Sequence, residues 1–195
     1  MGVSDVAAIR RGILEKYRKV AASPEGLFRY TTGEHSALGL GYPAALVASI
    51  PPGLREWFVG VGIPFQLGPI NPGEAVLDLG CGAGFDAFIA AALVGPEGRV
   101  VGIDLSSEML AVAEAGRAQM GRDHMAFCED AAEALPFPDA SFDVALSNGV
   151  LSLVPDKPAA LREVFRVLRP GGRLQVCDIG LTDDAIVPEN AAWSD

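Results

Sequence analysis

The chain has 195 residues, of which half are apolar, and its formal net charge is −10. That length suits one domain with a sizeable core, and that charge disfavours nucleic acid or an anionic membrane surface as the main partner. The apolar run that begins at Ala87 is too short to cross a bilayer, and the three cysteines show no CxxC spacing, so no metal site is predicted and a cytoplasmic location is expected.

The first predicted element is an amphipathic helix, because apolar residues recur at three- and four-residue spacing from Val6 to Val20. Its opposite face is basic and carries Arg10, Arg11, Lys16, Arg18 and Lys19. Such a face can contact a membrane or a partner. We favour instead a helix that packs on the domain with its basic face in solvent.

Residues 23–70 are rich in glycine, proline and aromatic residues, which predicts an irregular segment with one short helix around Ala44–Ile50. Because long loops in compact domains usually serve as lids or binding loops, we expect this segment to cap a binding site. The chain therefore divides into an N-terminal helix and cap segment, residues 1–70, and a core domain, residues 71–195. His35 in the cap is a candidate catalytic residue, and a structural role is its alternative.

From residue 75 onward, apolar strands alternate with helices at a spacing typical of an α/β fold whose parallel sheet is covered on both faces. The predicted strands are Ala75–Leu79, Arg99–Ile103, Met125–Cys128, Phe142–Ser147 and Arg173–Asp178. The predicted helices between them are Phe85–Leu93, Ser106–Met120 and Pro158–Leu168. Pro170, Gly171 and Gly172 are expected to end the third of these helices.

Polar residues follow the predicted strands at their carboxyl ends, where open parallel sheets bind their ligands. Asp78 and the turn Gly80–Gly84 lie at the end of strand one, and Asp104 ends strand two. Asp130 follows strand three, and Asn148 ends strand four. Any one of these residues can be a plain turn residue or helix cap, but four strand ends together predict a nucleotide-type site.

The stretch VLDLGCGAGFD, residues 76–86, resembles motif I of the class I S-adenosylmethionine-dependent methyltransferases. The stretches GIDLSSEML, CEDAAEALPF, FDVALSNGV and LREVFRVLRPGGRL agree with the same family, so the resemblance covers residues 75–180. It implies a Rossmann-like, doubly wound, mainly parallel sheet of strand order 3-2-1-4-5 with an N-terminal helical and loop cap. The family's further C-terminal edge strands are missing here, so strand five is expected to pair across a homodimer, or the chain to be a fragment.

The resemblance implies S-adenosylmethionine as the cofactor and a small molecule as the methyl acceptor. The implied cofactor-binding residues are Asp78, Gly80, Cys81, Gly82, Gly84, Asp104, Leu105, Met109, Asp130, Ala131 and Asn148. In the family pattern the glycine turn passes under the methionine part of the cofactor, and Asp104 binds the ribose hydroxyls. The adenine is lined by Leu105 and Met109, and its edge meets Asp130 and Ala131.

Asn148 is further implied to lie near the transferred methyl group, which makes it a candidate catalytic residue beside His35. Two other functions stay open for the same strand ends. An inactive or truncated S-adenosylmethionine-binding module would share the cofactor site without methyl transfer. A dinucleotide oxidoreductase is disfavoured, because Phe85 occupies the position of the third glycine in a G-x-G-x-x-G fingerprint.

A narrower resemblance points to the arsenite methyltransferase group. It rests on LGLGYPAALVASIPPGL and FVGVGIPF before motif I and on SNGVLSLVPDKP after strand four. Members of that group hold trivalent arsenic, a soft centre that prefers thiolates, through cysteines. Because Val59, Val61 and Gly149 stand where those thiols are expected, we predict a relative whose acceptor is not held by a thiol triad, and arsenic methylation is a hypothesis.

Overall fold

The computed structural model describes residues 3–180 of the chain. Its core is a five-stranded sheet of order β3-β2-β1-β4-β5 in which all neighbouring strands are parallel. The strands are β1 (Ala75–Leu79), β2 (Arg99–Asp104), β3 (Met125–Glu129), β4 (Phe142–Asn148) and β5 (Leu168–Cys177). The strand order reverses between β1 and β4, which confirms the Rossmann-like, doubly wound α/β fold.

Strand β1 lies at the centre of the sheet, and all five of its residues are buried. Side chains on a strand alternate between the two faces, so Val76 packs in one core cluster while Leu77 and Leu79 pack in the other. Both faces are covered by the connecting helices α5 (Phe85–Val94), α6 (Ser107–Met120) and α7 (Lys157–Val167). A strand buried on both faces reads as a continuous apolar run, and Asp78 is its charged exception.

The N-terminal region is more regular than its composition predicts. It contains α1 (Val3–Ala22), α2 (Gly33–Leu40), α3 (Ala44–Ala48), α4 (Pro52–Arg55) and a 3-10 turn at Pro64–Gln66. The predicted short helix around Ala44–Ile50 is present as α3. The expectation that the rest of residues 23–70 is irregular was wrong, because glycine and proline here separate short helices rather than abolish helical structure. Gly41 ends α2 with φ 104°, and Pro51 directly precedes α4.

Helix α1 packs on the domain, as its amphipathic pattern predicts, and it lies against α6 and, through Arg10, the loop after β3. Its basic face is not wholly in solvent, because Arg10 forms an ion pair with Glu133 at 3.1 Å. On its apolar face, Val20 is fully buried. The helix therefore joins the N-terminal region to the carboxyl ends of the strands.

Strand β5 begins at Leu168, five residues before its predicted start at Arg173. The Pro170–Gly172 stretch was expected to end the preceding helix, yet it lies within the strand beside a register shift between Phe142 and Val144. Gly172 suits this irregularity, since a Cβ there would lie 2.9 Å from the Arg169 carbonyl oxygen. Within residues 3–180, β5 pairs with β4 alone, and pairing across a homodimer stays a prediction.

Candidate functional site

The carboxyl ends of β1, β2 and β4 open into one cleft, here called the strand-end cleft. Eight of the eleven implied cofactor-binding residues line it: Asp78, Gly80, Cys81, Gly82, Asp104, Leu105, Asp130 and Asn148. Helix α1 closes one side of the cleft with Ile13 and Tyr17, and Leu153 of the loop after β4 lines it as well. Four strand-end segments therefore do come together, as parallel strands require.

The glycine turn has backbone conformations and close contacts that a larger residue would not tolerate. Gly80 has φ 65°, and a Cβ at this position would lie 2.5 Å from Cγ2 of Val150. Gly82 has φ 52°, and its N–H donates to Oδ2 of Asp104 at 2.9 Å. These glycines let the backbone itself form the floor of the cleft.

Three implied cofactor-binding residues are not among those lining the cleft. Met109 is fully buried and lies behind Gly82, since a Cβ at position 82 would be 3.2 Å from its Cε. Gly84 lies where a Cβ would be 3.0 Å from the Phe127 ring, so it permits close packing of α5. The N–H of Ala131 donates to Oδ1 of Asp130 at 2.9 Å.

Asp104 ends β2 with its carboxylate held by backbone groups. Oδ1 accepts from the N–H of Ser106 and Oδ2 accepts from the N–H of Gly82, each at 2.9 Å. Burial raises the pKa of Asp104, and these N–H groups act in the opposite direction. The N–H of Leu105 also lowers the pKa of Asp104. An ionised carboxylate offers about four acceptor positions, so this one can still accept from a hydroxyl group of a ligand.

The strand-end cleft is acidic. Among the described residues its lining includes no lysine or arginine, and its carboxyl groups are Asp78, Asp86, Asp104, Asp130 and Glu133. Asp78 is 2% exposed, and its Oδ2 has no hydrogen-bond partner among the described residues. Burial raises the pKa of Asp78 well above its ordinary value, and the nearby charges of Asp86 and Asp104 add to the effect. A cationic ligand would relieve this repulsion.

Asp86 was not singled out as a site residue in the sequence analysis, although it ends the quoted motif. Its Oδ1 accepts from the Tyr42 hydroxyl at 2.6 Å, and its Oδ2 accepts from Nδ2 of Asn148 at 2.9 Å. Burial raises the pKa of Asp86 to about 6, against the lowering effect of these two hydrogen bonds. The network joins the cap, the glycine turn and β4 at one point.

The two candidate catalytic residues lie in different surroundings. Asn148 lines the cleft, and its Oδ1 accepts from the N–H groups of Val61 and Gly62 at 2.8 and 3.1 Å. Its amide therefore holds the segment before motif I against the end of β4. His35 is exposed on α2 and lines neither of the two cavities beside the strand ends.

No helix within residues 3–180 has the length and apolar character needed to cross a membrane. The same residues contain no group of three or more histidine, cysteine, aspartate or glutamate side chains placed to hold a metal ion.

Comparison with known proteins returns one enzyme class repeatedly. A family model described as "Methyltransferase domain" matches residues 70–195. An arsenite methyltransferase of Halobacterium salinarum is 42% identical over 140 residues, which are 72% of this chain and 36% of that protein. A demethylmenaquinone methyltransferase of Lactococcus lactis is 43% identical over 105 residues, 54% of this chain and 41% of that protein.

Among solved structures, an arsenic(III) S-adenosylmethionine methyltransferase from Chlamydomonas reinhardtii superposes with a TM-score of 0.63 and 38% sequence identity. The match covers 69% of this chain and 48% of that one. The chain thus spans less than half the length of each of these three relatives.

Proposed function

The chain belongs to the class I S-adenosylmethionine-dependent methyltransferases, and we propose that it transfers a methyl group from S-adenosylmethionine to a small-molecule acceptor. The observation that carries the proposal is the acidic strand-end cleft with the buried, unpartnered Oδ2 of Asp78. S-adenosylmethionine bears a sulfonium and an ammonium group against one carboxylate, so its net charge suits a cleft with carboxyl groups and no lysine or arginine among its described lining residues.

The residues present fit this cofactor along the whole cleft. The glycine turn at Gly80 and Gly82 lines the cleft and would lie against the methionine part, and the Asp104 carboxylate would accept from the ribose. Leu105 and Asp130 also line the cleft and would meet the adenine face and edge. When bound, the cofactor supplies an electrophilic methyl group, so the protein needs mainly to align donor and acceptor.

The side chains over the cleft exclude water and do not need to act as bases. Burial raises the pKa of Tyr17, with Asp104 among the minor contributors, so its hydroxyl stays protonated at neutral pH. Tyr17, Ile13 and Leu153 therefore form a largely apolar cover between solvent and the strand ends. We propose that Asn148 positions the segment around Val61 and that His35 has no part in the methyl transfer.

Calorimetry with S-adenosylhomocysteine and with NAD tests the cofactor. Binding of S-adenosylhomocysteine without binding of NAD supports the proposal. Binding of NAD without binding of S-adenosylhomocysteine would favour an oxidoreductase instead. Formation of S-adenosylhomocysteine from S-adenosylmethionine over a panel of acceptors then separates an enzyme from an inactive binding module. A chain that binds the cofactor but methylates no member of a broad panel would favour the inactive module.

Arsenite is the second candidate acceptor, since two of the relatives above are named as arsenic or arsenite methyltransferases. Val61 and Gly149, two of the positions where thiols are expected, do face each other: a Cβ at position 149 would lie 3.5 Å from Cγ1 of Val61. Neither residue can ligate arsenic. Titration of the thiol-labelled and unlabelled chain with arsenite tests this candidate, and absence of As–S binding would eliminate it.

A further inference from the structure

A second cavity adjoins the strand-end cleft on the side of α1. It has a volume of about 750 Å³, within the usual size of a small-molecule pocket, and we call it the acceptor chamber. It lies between α1, residues 28–30 and the loop of residues 149–157. The residues that it shares with the strand-end cleft are Ile13, Tyr17, Gly149, Leu153, Val154 and Pro155. The two cavities therefore adjoin along these six residues.

The chamber has the opposite charge from the cleft. Lys16, Arg29 and Lys157 line it, and no aspartate or glutamate is found among its described lining residues. All three belong to the chamber alone and not to the boundary with the cleft. Three cations without a lining carboxylate are unexpected in a chain of net charge −10, because acidic residues outnumber basic ones by 25 to 15.

Two of these cations have contacts inside the chamber. Nζ of Lys157 donates to the Val154 carbonyl oxygen at 3.0 Å, and an ammonium group has three donors. Nζ of Lys16 lies 5.0 Å from the centre of the Phe28 ring, which lines the same chamber. Asp178 lies close by, but its Oδ2 accepts from the N–H of Ser152 at 2.9 Å and it is not part of the lining.

The rest of the chamber wall is mainly apolar, with Ile9, Ile13, Phe28 and Leu153 among its residues. Gly12 also lines it, in the middle of α1, where glycine is less favourable than alanine by about 1 kcal/mol. Packing does not require this glycine, because a Cβ there would meet nothing within 4 Å. The absence of a side chain at this position keeps the chamber unfilled beside α1.

We propose that the acceptor chamber binds an amphipathic anion, an apolar aromatic or aliphatic molecule that carries one carboxylate, phosphate or sulfonate-like group. The inference rests on the proposed methyltransferase function and names its acceptor class. The anionic end lies among Lys16, Arg29 and Lys157, and the atom that accepts the methyl group lies at the Gly149 and Leu153 boundary. The acidic cleft repels the anionic end of the acceptor and attracts the cationic cofactor. The opposite charges of the two cavities therefore direct each molecule to its own cavity.

The test uses two fluorescent probes with the same ring system. 1-Anilinonaphthalene-8-sulfonate carries the anion, and N-phenyl-1-naphthylamine is its uncharged parent. Binding to the full chain is measured in the presence of S-adenosylhomocysteine, together with the affinity for S-adenosylhomocysteine itself. The triple variant K16Q/R29Q/K157Q is compared with R11Q/R18Q/R162Q, whose substituted residues lie outside the chamber lining and change the net charge equally.

We expect the chamber triple variant to bind the sulfonate about tenfold more weakly, with unchanged binding of the neutral amine, while the control triple variant resembles the parent chain. Gly12→Leu and Gly12→Phe should each abolish sulfonate binding by filling the chamber, with retained affinity for S-adenosylhomocysteine. Gly12→Leu covers the case in which the larger phenylalanine side chain disturbs folding, which circular dichroism reports.

Equal weakening in both triple variants, equal affinity for the two probes, or sulfonate binding that survives both Gly12 substitutions would each overturn the inference. Failure of the proposed function is a different result. In that case the parent chain itself does not bind S-adenosylhomocysteine.

Discussion

Nδ2 of Asn148 donates to Oδ2 of Asp86 across 2.9 Å, which ties the end of β4 to the first turn of α5. The same amide group also donates to the Gly62 carbonyl oxygen at 2.9 Å. Asp86 in turn accepts from Tyr42 of the cap. One asparagine therefore aligns three segments beside the strand-end cleft, and both polar atoms of its side chain already form hydrogen bonds.

Asn148→Asp should destabilise the chain by about 2–4 kcal/mol near neutral pH, because a second carboxylate would face Asp86 and the Gly62 carbonyl oxygen. The loss should shrink near pH 5, since one of two adjacent carboxyl groups then takes up a proton. Urea denaturation at both pH values measures it. Gln66→Glu, which likewise replaces an amide by a carboxylate but at an exposed position, is the control and should change stability little. An equal loss at both pH values would contradict the prediction.

Gly80→Ala should lower both stability and cofactor affinity. The substitution combines a positive φ of 65° with a clash between the new Cβ and the Val150 side chain. Gly73 is a matched control, because its φ is 83° but a Cβ there meets nothing within 4 Å. We expect Gly73→Ala to cost about 1–2 kcal/mol through backbone strain alone and Gly80→Ala to cost about 1–3 kcal/mol more.

Calorimetry with S-adenosylhomocysteine completes this comparison. Its affinity should fall at least about tenfold in Gly80→Ala, since movement of the turn of roughly an ångström weakens aligned contacts, and stay unchanged in Gly73→Ala. Equal effects of the two substitutions on affinity would show that Gly80 serves the turn and not the cofactor.

Binding of S-adenosylmethionine should tighten as the pH rises from about 5 to about 7.5. Burial raises the pKa of Asp86 to about 6, so the native chain holds this proton where an unfolded chain, with an ordinary value of 3.8, has lost it. The native state is therefore stabilised by this proton at low pH, and the stabilisation declines as the pH rises from about 4 through about 6. A cationic ligand favours the ionised carboxylates Asp86 and Asp78, so its binding releases protons.

Calorimetry near pH 6 in two buffers of different ionisation enthalpy measures this proton release. If the bound cofactor lowers the pKa of one carboxyl group by about one unit, its affinity should be about tenfold higher above that pKa than below it. Asp86→Asn should remove most of the pH dependence. Proton uptake on binding would mean that the cofactor does not approach these carboxyl groups.

Asp104→Asn should weaken cofactor binding about tenfold or more, with a smaller effect on stability. One oxygen remains to accept an N–H group, but an amide nitrogen replaces the other and faces the donor of either Gly82 or Ser106. Equilibrium binding of S-adenosylhomocysteine and thermal denaturation measure the two effects. Glu108→Gln, which neutralises an exposed acid at the start of α6, is the control. Unchanged affinity in Asp104→Asn would exclude a ribose contact.

Val61→Cys combined with Gly149→Cys should create an arsenite site that the parent chain lacks. The two positions adjoin, since a Cβ at 149 would lie 3.5 Å from Cγ1 of Val61, and thiolates suit a soft centre. Arsenic retained after gel filtration under reducing conditions measures the gain. Each single variant is the control and should retain less. A double variant that binds no arsenite would show that these positions do not form a thiol pair.

The strand ends are the part of the site that local pattern predicts well. β1 was placed at its observed bounds, Ala75–Leu79, and β2 and β4 differ from prediction by one residue at one end. An apolar run followed by a glycine turn determines both the strand and the place where it stops. The carboxyl ends of parallel strands lie on one edge of the sheet, so the sequence also predicts that Asp78, Asp104 and Asn148 lie close together.

The predictions that were wrong concern packing between segments that are distant in the sequence. Strand β5 can begin at Leu168 because a register shift near Phe142 accommodates Pro170–Gly172. A proline and two glycines in the sequence predict a turn and give no sign of this shift. The short helices of the cap are held by burial of Tyr42, Ile50 and Phe58 in the core, and isolated peptides of that length are not stable helices.

By itself, the sequence predicted the parallel α/β sheet and the position of its strand ends, because periodicity and turn residues are local properties. Its motifs predicted the methyltransferase family by resemblance. Only the tertiary structure decided which side chains meet there. Tyr42 and Asn148 are 106 positions apart, and Arg10 and Glu133 are 123 apart. Whether such residues form a hydrogen bond, or whether Lys16, Arg29 and Lys157 share one cavity, depends on how helices and loops pack on the sheet.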